Sequence, residues 1–69
     1  MSNYLHEVVV SAVLSYLRNN KSCDYDELLD SVNLQTQLEL RREELKAVVV
    51  PMIASGKLKY YTGLTIGLA

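Results

Sequence analysis

The stretch Arg41–Ile66 decides the fold: RREELKAVVVPMIAS (residues 41–55) is followed by Gly56 and then by KLKYYTGLTI (residues 57–66). Apolar residues recur at helical spacing in its first part, which predicts an amphipathic helix. The buried stripe of this helix is expected to consist of Leu45, Val48, Val49, Met52 and Ile53. Gly56 predicts where the helix ends, because glycine readily takes the left-handed conformation at that position. Pro51 lies inside the pattern and lacks an N–H, so we expect a kink or a loosened final turn.

The residues after Gly56 predict a short β-hairpin. Leu58 and Tyr60 alternate with Lys57, Lys59 and Tyr61, the pattern of a half-buried strand. Thr62-Gly63 is a tight-turn signal. The apolar residues that alternate on the returning strand are Leu64, Ile66 and Leu68. Because two strands alone are not stable in water, the hairpin must lie on the helices. A short third strand around Ser22-Cys23 would complete the sheet.

The residues upstream predict two further helices. A first helix is expected over about Asn3–Asn19, and its apolar residues at helical spacing are Leu5, Val9, Ala12, Val13, Tyr16 and Leu17. Asp24 predicts the start of a second, short helix over about Tyr25–Asn33, because its side chain can cap the amide of Glu27. The Glu27 side chain can reach back to Asp24 in a capping box. The inward-facing residues of this helix are expected to be Leu28, Leu29 and Val32.

The connection from Asn33 to Leu40 precedes the third helix. Its expected anchors in the core are Leu34, Leu38 and Leu40. Two starts of the third helix fit the sequence. Thr36 and Glu39 could form a capping box that starts the helix early, or the helix could begin at Arg41 with Glu44 in its first turn.

The resulting order of elements, helix–(strand)–helix–helix–hairpin, resembles the winged helix-turn-helix superfamily over essentially the whole chain. The run LRREELKAVVVPMIASGKLKYYTGLTIGL (residues 40–68) is similar to the third helix and wing of that superfamily, although Pro51 departs from its usually uninterrupted helix. The resemblance implies a mainly α fold with a small wing sheet of two or three strands. It also implies binding to DNA or to proteins, since such domains rarely catalyse.

Two narrower families can be compared with the chain. Readers of Z-form nucleic acid carry a wing tryptophan and a helix asparagine–tyrosine pair that are missing here. The run VLSYLRNNK (residues 13–21) and the short wing ending in Leu68-Ala69 are similar to the winged-helix tail of cullin-type ubiquitin-ligase scaffolds. The lysine that is modified in those tails would fall near Arg18, which cannot be conjugated.

Composition argues against catalysis, metal binding and membrane insertion. The 69 residues make one domain at most, spanning residues 1–69. One histidine, His6, and one cysteine, Cys23, supply neither a nucleophile–base pair nor the roughly four ligands of a structural zinc site. We expect no cofactor, and the three glycines form no phosphate loop.

The run Val8–Val10 is far shorter than the about 20 apolar residues of a membrane span. We therefore expect a soluble, intracellular protein of the cytoplasm or of the nucleus or nucleoid, with Cys23 buried and His6 on the surface.

The charges are distributed unevenly along the chain. Residues 1–39 carry two cations and six anions, and residues 40–69 carry five cations and two anions, so that a net charge of −4 is followed by one of +3. In the DNA-binding hypothesis, cations at the start of the third helix and along the wing contact phosphates. The residues predicted for this role are Arg41, Arg42, Lys46, Lys57 and Lys59.

The solvent face of the third helix favours a protein partner instead. At about 100° per residue, the side opposite Leu45 carries Glu43 and small apolar groups, whereas base reading normally uses Arg, Lys, Asn or Gln. On the first helix, two apolar residues project beyond the core stripe. The residues predicted to bind a partner are Val10, Leu14, Ala47, Val50, Pro51 and Ala54. Apolar stripes on two helices are typical of a homodimer or a docking surface.

Two functions follow from the sequence, and both are non-enzymatic. The first is a small DNA-binding, transcription-regulatory module that contacts duplex DNA mostly through phosphates. The second is a protein-interaction module, for dimerisation or docking, that uses the apolar outer faces of the first and third helices. Winged helices are most often DNA-binding regulators, which places duplex DNA marginally first.

Overall fold

The computed structural model describes residues 3–63 and 65–69, with the side chains of residues 5–63 and 65–69. Three helices and three strands follow in the order α1 (Asn3–Asn19), β1 (Ser22–Cys23), α2 (Tyr25–Thr36), α3 (Arg42–Ala54), β2 (Leu58–Tyr60) and β3 (Ile66–Leu68). The strands form one antiparallel sheet in the order β1-β3-β2. The predicted mainly α fold with a small sheet is confirmed, and its arrangement is compatible with a winged helix. The predicted position of Leu64 on the returning strand lies outside the described residues.

The core lies between the three helices and the inner face of the sheet. Its buried members are Val9, Ala12, Val13, Leu17, Cys23, Leu28, Val32, Leu45, Val48, Val49, Met52, Leu58 and Ile66. Leu38, Leu40 and Ile53 are half-buried and pack against this cluster. The predicted stripes of the three helices are thus confirmed in their central residues. At the start of α1, Leu5 departs from the predicted stripe and is 46 % exposed.

The second helix is longer than the sequence predicts. It runs to Thr36, three residues beyond Asn33, and Gln37 takes the left-handed cap position with φ 62°. Asn33 does not end the helix because its side chain is hydrogen-bonded to the connection that follows. Its Nδ2 donates to the Leu40 carbonyl at 3.1 Å, and its Oδ1 accepts from the Leu40 backbone N–H at 2.9 Å. The expectation that Leu34 anchors the connection in the core is wrong. Leu34 lies in the part of α2 beyond the predicted end of the helix, and it is 83 % exposed.

The ends of the helices are set by short-range hydrogen bonds. Asp24 accepts from the Glu27 amide at 2.8 Å, which confirms it as the cap of α2. The Glu27 carboxylate accepts from the Tyr16 hydroxyl, a contact across to α1 that the capping-box prediction did not include. At the start of α3 the Arg41 amide donates to the Glu44 carboxylate at 2.7 Å. The later of the two predicted starts is therefore confirmed to within one residue.

The earlier start of α3, at a Thr36–Glu39 capping box, is wrong. Thr36 is the last residue of α2, and its hydroxyl donates backwards to the Val32 carbonyl at 2.7 Å. A hydroxyl bonded within the preceding helix does not cap the next one. The residues from Gln37 to Arg41 therefore connect the two helices.

The third helix continues through Pro51 to Ala54 and then closes as predicted. Gly56 has φ +86°, its amide donates to the Ile53 carbonyl, and the Lys57 amide donates to the Met52 carbonyl. These two bonds form the Schellman motif, which satisfies carbonyls at the end of a helix and turns the chain. The chain then enters β2 directly.

Gly67 lies where the sheet has no room for a side chain. It lies in the central strand, opposite Ser22 on one side and Lys59 on the other. A Cβ at this position would lie 2.4 Å from the Lys21 carbonyl oxygen and 2.7 Å from Cε1 of Tyr61. The sheet can close around β3 because residue 67 has no side chain.

Candidate interaction surfaces

A groove runs between α1 and α3 and joins the apolar residues that the sequence placed on two separate faces. Val10 and Leu14 line it from α1, and Val48, Pro51 and Met52 line it from α3. Val10 and Leu14 are half-buried, while Val48 and Met52 belong to the core and form the floor. We call this feature the α1–α3 groove; its volume is about 590 Å³.

The two ends of the α1–α3 groove carry opposite charges. Glu7 lines it near the start of α1, next to the exposed His6, and Arg18 lines it near the end of that helix. Glu7 and Arg18 are eleven positions apart, which corresponds to roughly 16 Å along a helix. Lys57 also lines the groove. An acidic end and a basic end therefore flank an apolar centre.

The sheet register places Lys57 at the same end as Arg18. Both β1 and β2 run antiparallel to β3, so the chain enters both strands from the same end of the sheet. The Ala69 amide donates to the Lys57 carbonyl at 3.2 Å, which continues the β2–β3 ladder by one residue. Because α1 and α3 lead into β1 and β2, Arg18 near the end of α1 and Lys57 just before β2 lie at the same end of the groove.

The outer face of α3 is a separate surface. Its predicted residues are all exposed, namely Glu43, Ala47, Val50 and Ala54, with half of the Val50 surface open to solvent. None of these four borders the α1–α3 groove. The predicted partner-binding residues thus divide into two sets: Val10, Leu14 and Pro51 share the groove, whereas Ala47, Val50 and Ala54 do not.

A second hollow lies where α2, α3 and the hairpin meet, and we call it the tyrosine hollow. It is lined by Asp24, Tyr25, Asp26, Arg42, Lys46, Tyr60 and Gly63. The hydroxyl groups of Tyr25 and Tyr60 are 2.9 Å apart and share a hydrogen bond. Burial, followed by this hydrogen bond, raises the pKa of Tyr25. The Lys46 ammonium lies 5.2 Å from the centre of the Tyr25 ring, within the range of a cation–π contact.

The predicted phosphate contacts are distributed over several surfaces. Arg42 donates to Asp26 in an exposed ion pair, and Asp26 raises the pKa of this guanidinium. Lys59 lies 5.0 Å from the centre of the Tyr61 ring, on the sheet. Arg41 is exposed at the start of α3, and Lys57 lies in the α1–α3 groove. The structure therefore brings together only Arg42 and Lys46 of the five, and it places them beside two carboxylates.

The tyrosine contacts are the features that sequence reasoning missed. Tyr25 and Tyr60 are 35 residues apart, and Tyr16 meets Glu27 across eleven residues. The hydrogen bond to Glu27 raises the pKa of Tyr16 to about 12. Five tyrosines without any Phe or Trp gave a compositional signal for such polar aromatic contacts, but their partners depend on how the elements pack.

Cys23 is buried in β1, as predicted. Burial, and then the nearby carboxylates of Glu27 and Asp24, raise the pKa of its thiol to about 11. A thiol that stays protonated and buried is a poor nucleophile. In residues 3–63 and 65–69, no group of three His, Cys, Asp or Glu side chains is placed to hold a metal ion. Within the same residues, no helix combines the length and apolarity needed to cross a bilayer.

Comparison of the chain with protein-family models, with curated proteins and with solved structures finds no match.

Proposed function

We propose that this chain is a non-enzymatic winged-helix recognition module that binds protein through the α1–α3 groove. The observation that carries the proposal is the joining of two apolar stripes in one groove. Val10 and Leu14 on α1 face Pro51 and Met52 on α3. An apolar centre with charged residues at its rim is the usual composition of a protein–protein interface.

The charged rim supports a protein partner further. Glu7, Arg18 and Lys57 line the groove next to its apolar residues, and all three are exposed. Charges at the rim of an interface determine orientation and discriminate among partners, while the apolar centre supplies most of the affinity. An intracellular site of action belongs to this proposal, because a single free thiol suits a reducing compartment.

Site-specific photo-crosslinking tests this proposal in the cells that produce the chain. A photoreactive side chain at the exposed His6, which lines one end of the groove, should give a discrete protein adduct. Leu14→Glu should abolish the adduct, because it places a charge in the apolar centre. Val50→Glu is the matched control, since it introduces the same charge on the outer face of α3 and should leave the adduct intact. Adducts that are absent, or that survive Leu14→Glu, would refute the proposal.

Duplex DNA binding, with a role in transcription regulation, is the second candidate function. One observation favours it: Arg42 and Lys46 of α3 border the tyrosine hollow together with the Gly63 turn of the hairpin. Helix-turn-helix proteins present a helix to the major groove of DNA in a comparable way. Asp24 and Asp26 line the same hollow, however, so that two anions offset its two cations. For this reason we place protein binding first.

A titration at low salt separates the two functions. Phosphate contacts are strong at about 50 mM salt, and each one contributes to a steep decrease of affinity with salt. If the DNA hypothesis holds, a labelled duplex should bind at this salt concentration, and Lys46→Glu should weaken binding without regard to sequence. If affinity is undetectable under these conditions, the DNA hypothesis should be dropped.

A further inference from the structure

We propose that the occupant of the α1–α3 groove is a second copy of this chain, with the two α1 helices packed antiparallel across a two-fold axis. This inference rests on the proposed function and names the partner for the same groove. It starts from the spacing of the groove residues on α1. Glu7, Ser11, Leu14 and Arg18 all line the groove, at alternating intervals of four and three residues. This spacing forms the seam along which two helices pack in a coiled coil.

The charge pattern along that seam is complementary to itself. In an antiparallel pair centred between Ala12 and Val13, position 7 of one helix lies opposite position 18 of the other. Glu7 of each copy therefore meets Arg18 of the second copy, and the same contact occurs twice. A parallel pair would instead place Glu7 against Glu7 and Arg18 against Arg18. A two-fold interface requires such a self-complementary surface.

The α3 side of the groove strengthens the same contact. Lys57 lies at the end of the groove that also holds Arg18, so Glu7 of the second copy would approach two cations. In the described part of the chain, the one salt bridge joins Arg42 to Asp26, so neither Glu7 nor Arg18 takes part in a salt bridge within the chain. Both side chains are exposed and are available for contacts between copies.

The apolar centre lies where a two-fold axis would bring it together. Leu14 of one helix lies opposite Ser11 of the other in this register, and Val10 lies one turn away on the same side. Pro51 borders these residues from α3 and is itself exposed. The small serine leaves room for the leucine of the second copy. The centre of the interface is thus apolar, and both of its ends carry opposite charges in contact.

The mass in solution is the first measurement, and it uses the unmodified chain. Sedimentation equilibrium over a concentration series up to about 1 mM should show a mass approaching twice the 7.8 kDa of one chain. A monomeric mass across the whole series would overturn the homodimer. It would leave the proposed function standing if the photoreactive His6 variant still forms a groove-dependent adduct with another protein. The two proposals can therefore fail separately.

Charge reversal then tests the antiparallel register. Glu7→Arg places two arginines at each end of the pair, and Arg18→Glu places two glutamates there. Each variant alone should dimerise at least about tenfold more weakly than the natural chain, a change that corresponds to about 1.4 kcal/mol. Asp30→Arg is the control, because it reverses an exposed charge on α2 and should leave dimerisation unchanged.

Mixing the two variants gives the decisive result. A heterodimer of the Glu7→Arg chain with the Arg18→Glu chain contains an attractive pair at both ends, so the mixture should dimerise more tightly than either variant alone. The double variant E7R/R18E should recover self-association for the same reason. Circular dichroism of each variant verifies the fold, which surface substitutions on α1 should preserve. A mixture and a double variant that both stay monomeric would overturn the proposed register.

Discussion

Replacing Gly67 with alanine should destabilise the fold more than its small change in volume suggests. The added Cβ would lie 2.4 Å from the Lys21 carbonyl oxygen and 2.7 Å from Cε1 of Tyr61, and Cβ atoms essentially never approach non-bonded atoms below 3.0 Å. The carbonyl belongs to the backbone that leads into β1. The tyrosine ring is held by its hydroxyl, which donates to the Leu68 carbonyl at 2.5 Å. Neither neighbour can move without loss of existing contacts.

The expected magnitude follows from these two contacts. Forcing a methyl group into a packed site costs about 1–3 kcal/mol. In a domain of this size, 1 kcal/mol shifts the Tm by about 4–8 °C, so the Tm should fall by roughly 4–24 °C. Because one of the two clashes is with backbone, we expect a fall of at least about 10 °C for Gly67→Ala.

Thermal and urea unfolding, followed by circular dichroism, measure this effect. Gly63→Asn serves as the control: a Cβ at Gly63 meets nothing within 4 Å, and asparagine tolerates its φ of +67°. This control should change the unfolding free energy by less than about 1 kcal/mol. The double variant Tyr61→Ala/Gly67→Ala removes the ring contact but not the Lys21 carbonyl. A Tm for Gly67→Ala within about 2 °C of the natural chain would refute the packing argument.

Three further predictions follow from the core, a helix cap and the buried thiol. Leu28→Ala should lower the unfolding free energy, measured in urea, by about 2–5 kcal/mol because Leu28 is fully buried. Leu34→Ala should lower it by less than about 0.5 kcal/mol because Leu34 is 83 % exposed, and equal losses for the two variants would contradict this difference in burial. Asp24→Ala removes the cap of the Glu27 amide and should lower the unfolding free energy by about 1 kcal/mol, and an unchanged value would argue against the cap. The pKa of the Cys23 thiol is about 11 in the folded state, against 9.0 for the ordinary thiol. The stability that the protonated thiol contributes is therefore present below pH 9 and is lost as the pH rises from 9 to 11. Cys23→Ala should therefore lose less stability than the natural chain between pH 8 and pH 10, and equal slopes would be the contrary result.

The helices that the sequence specifies locally were predicted well. Asn3–Asn19 agrees with α1 at both ends, and Gly56 ends α3 in the conformation expected of it. The end of α2 could not be predicted, because it depends on a contact over seven residues. Asn33 bonds to Leu40 instead of taking the left-handed position, and Gln37 takes that position.

The residues that line the groove were predicted only in part. Val10, Leu14 and Pro51 were each predicted to bind a partner, and only the packing of α1 against α3 shows that they line the same groove, whereas Ala47, Val50 and Ala54 lie outside it. The cations predicted to contact phosphates were likewise chosen one residue at a time, without knowledge of their neighbours in the fold. The ion pair of Arg42 with Asp26 joins residues sixteen positions apart, and the hydrogen-bond pattern of the sheet brings Lys57 towards Arg18. Sequence spacing within one helix cannot supply such relations between elements.

We propose that the α1–α3 groove, and not the start of α3 with the hairpin, is the surface that contacts a partner. Amide shift mapping by NMR distinguishes these two surfaces, on a dilution series of the labelled chain and after addition of duplex DNA at about 50 mM salt. We predict that dilution shifts the amides of Glu7, Leu14 and Arg18, and that DNA leaves those of Arg42 and Lys46 unchanged. DNA-induced shifts at Arg42 and Lys46, with groove amides that do not respond to concentration, would contradict the account.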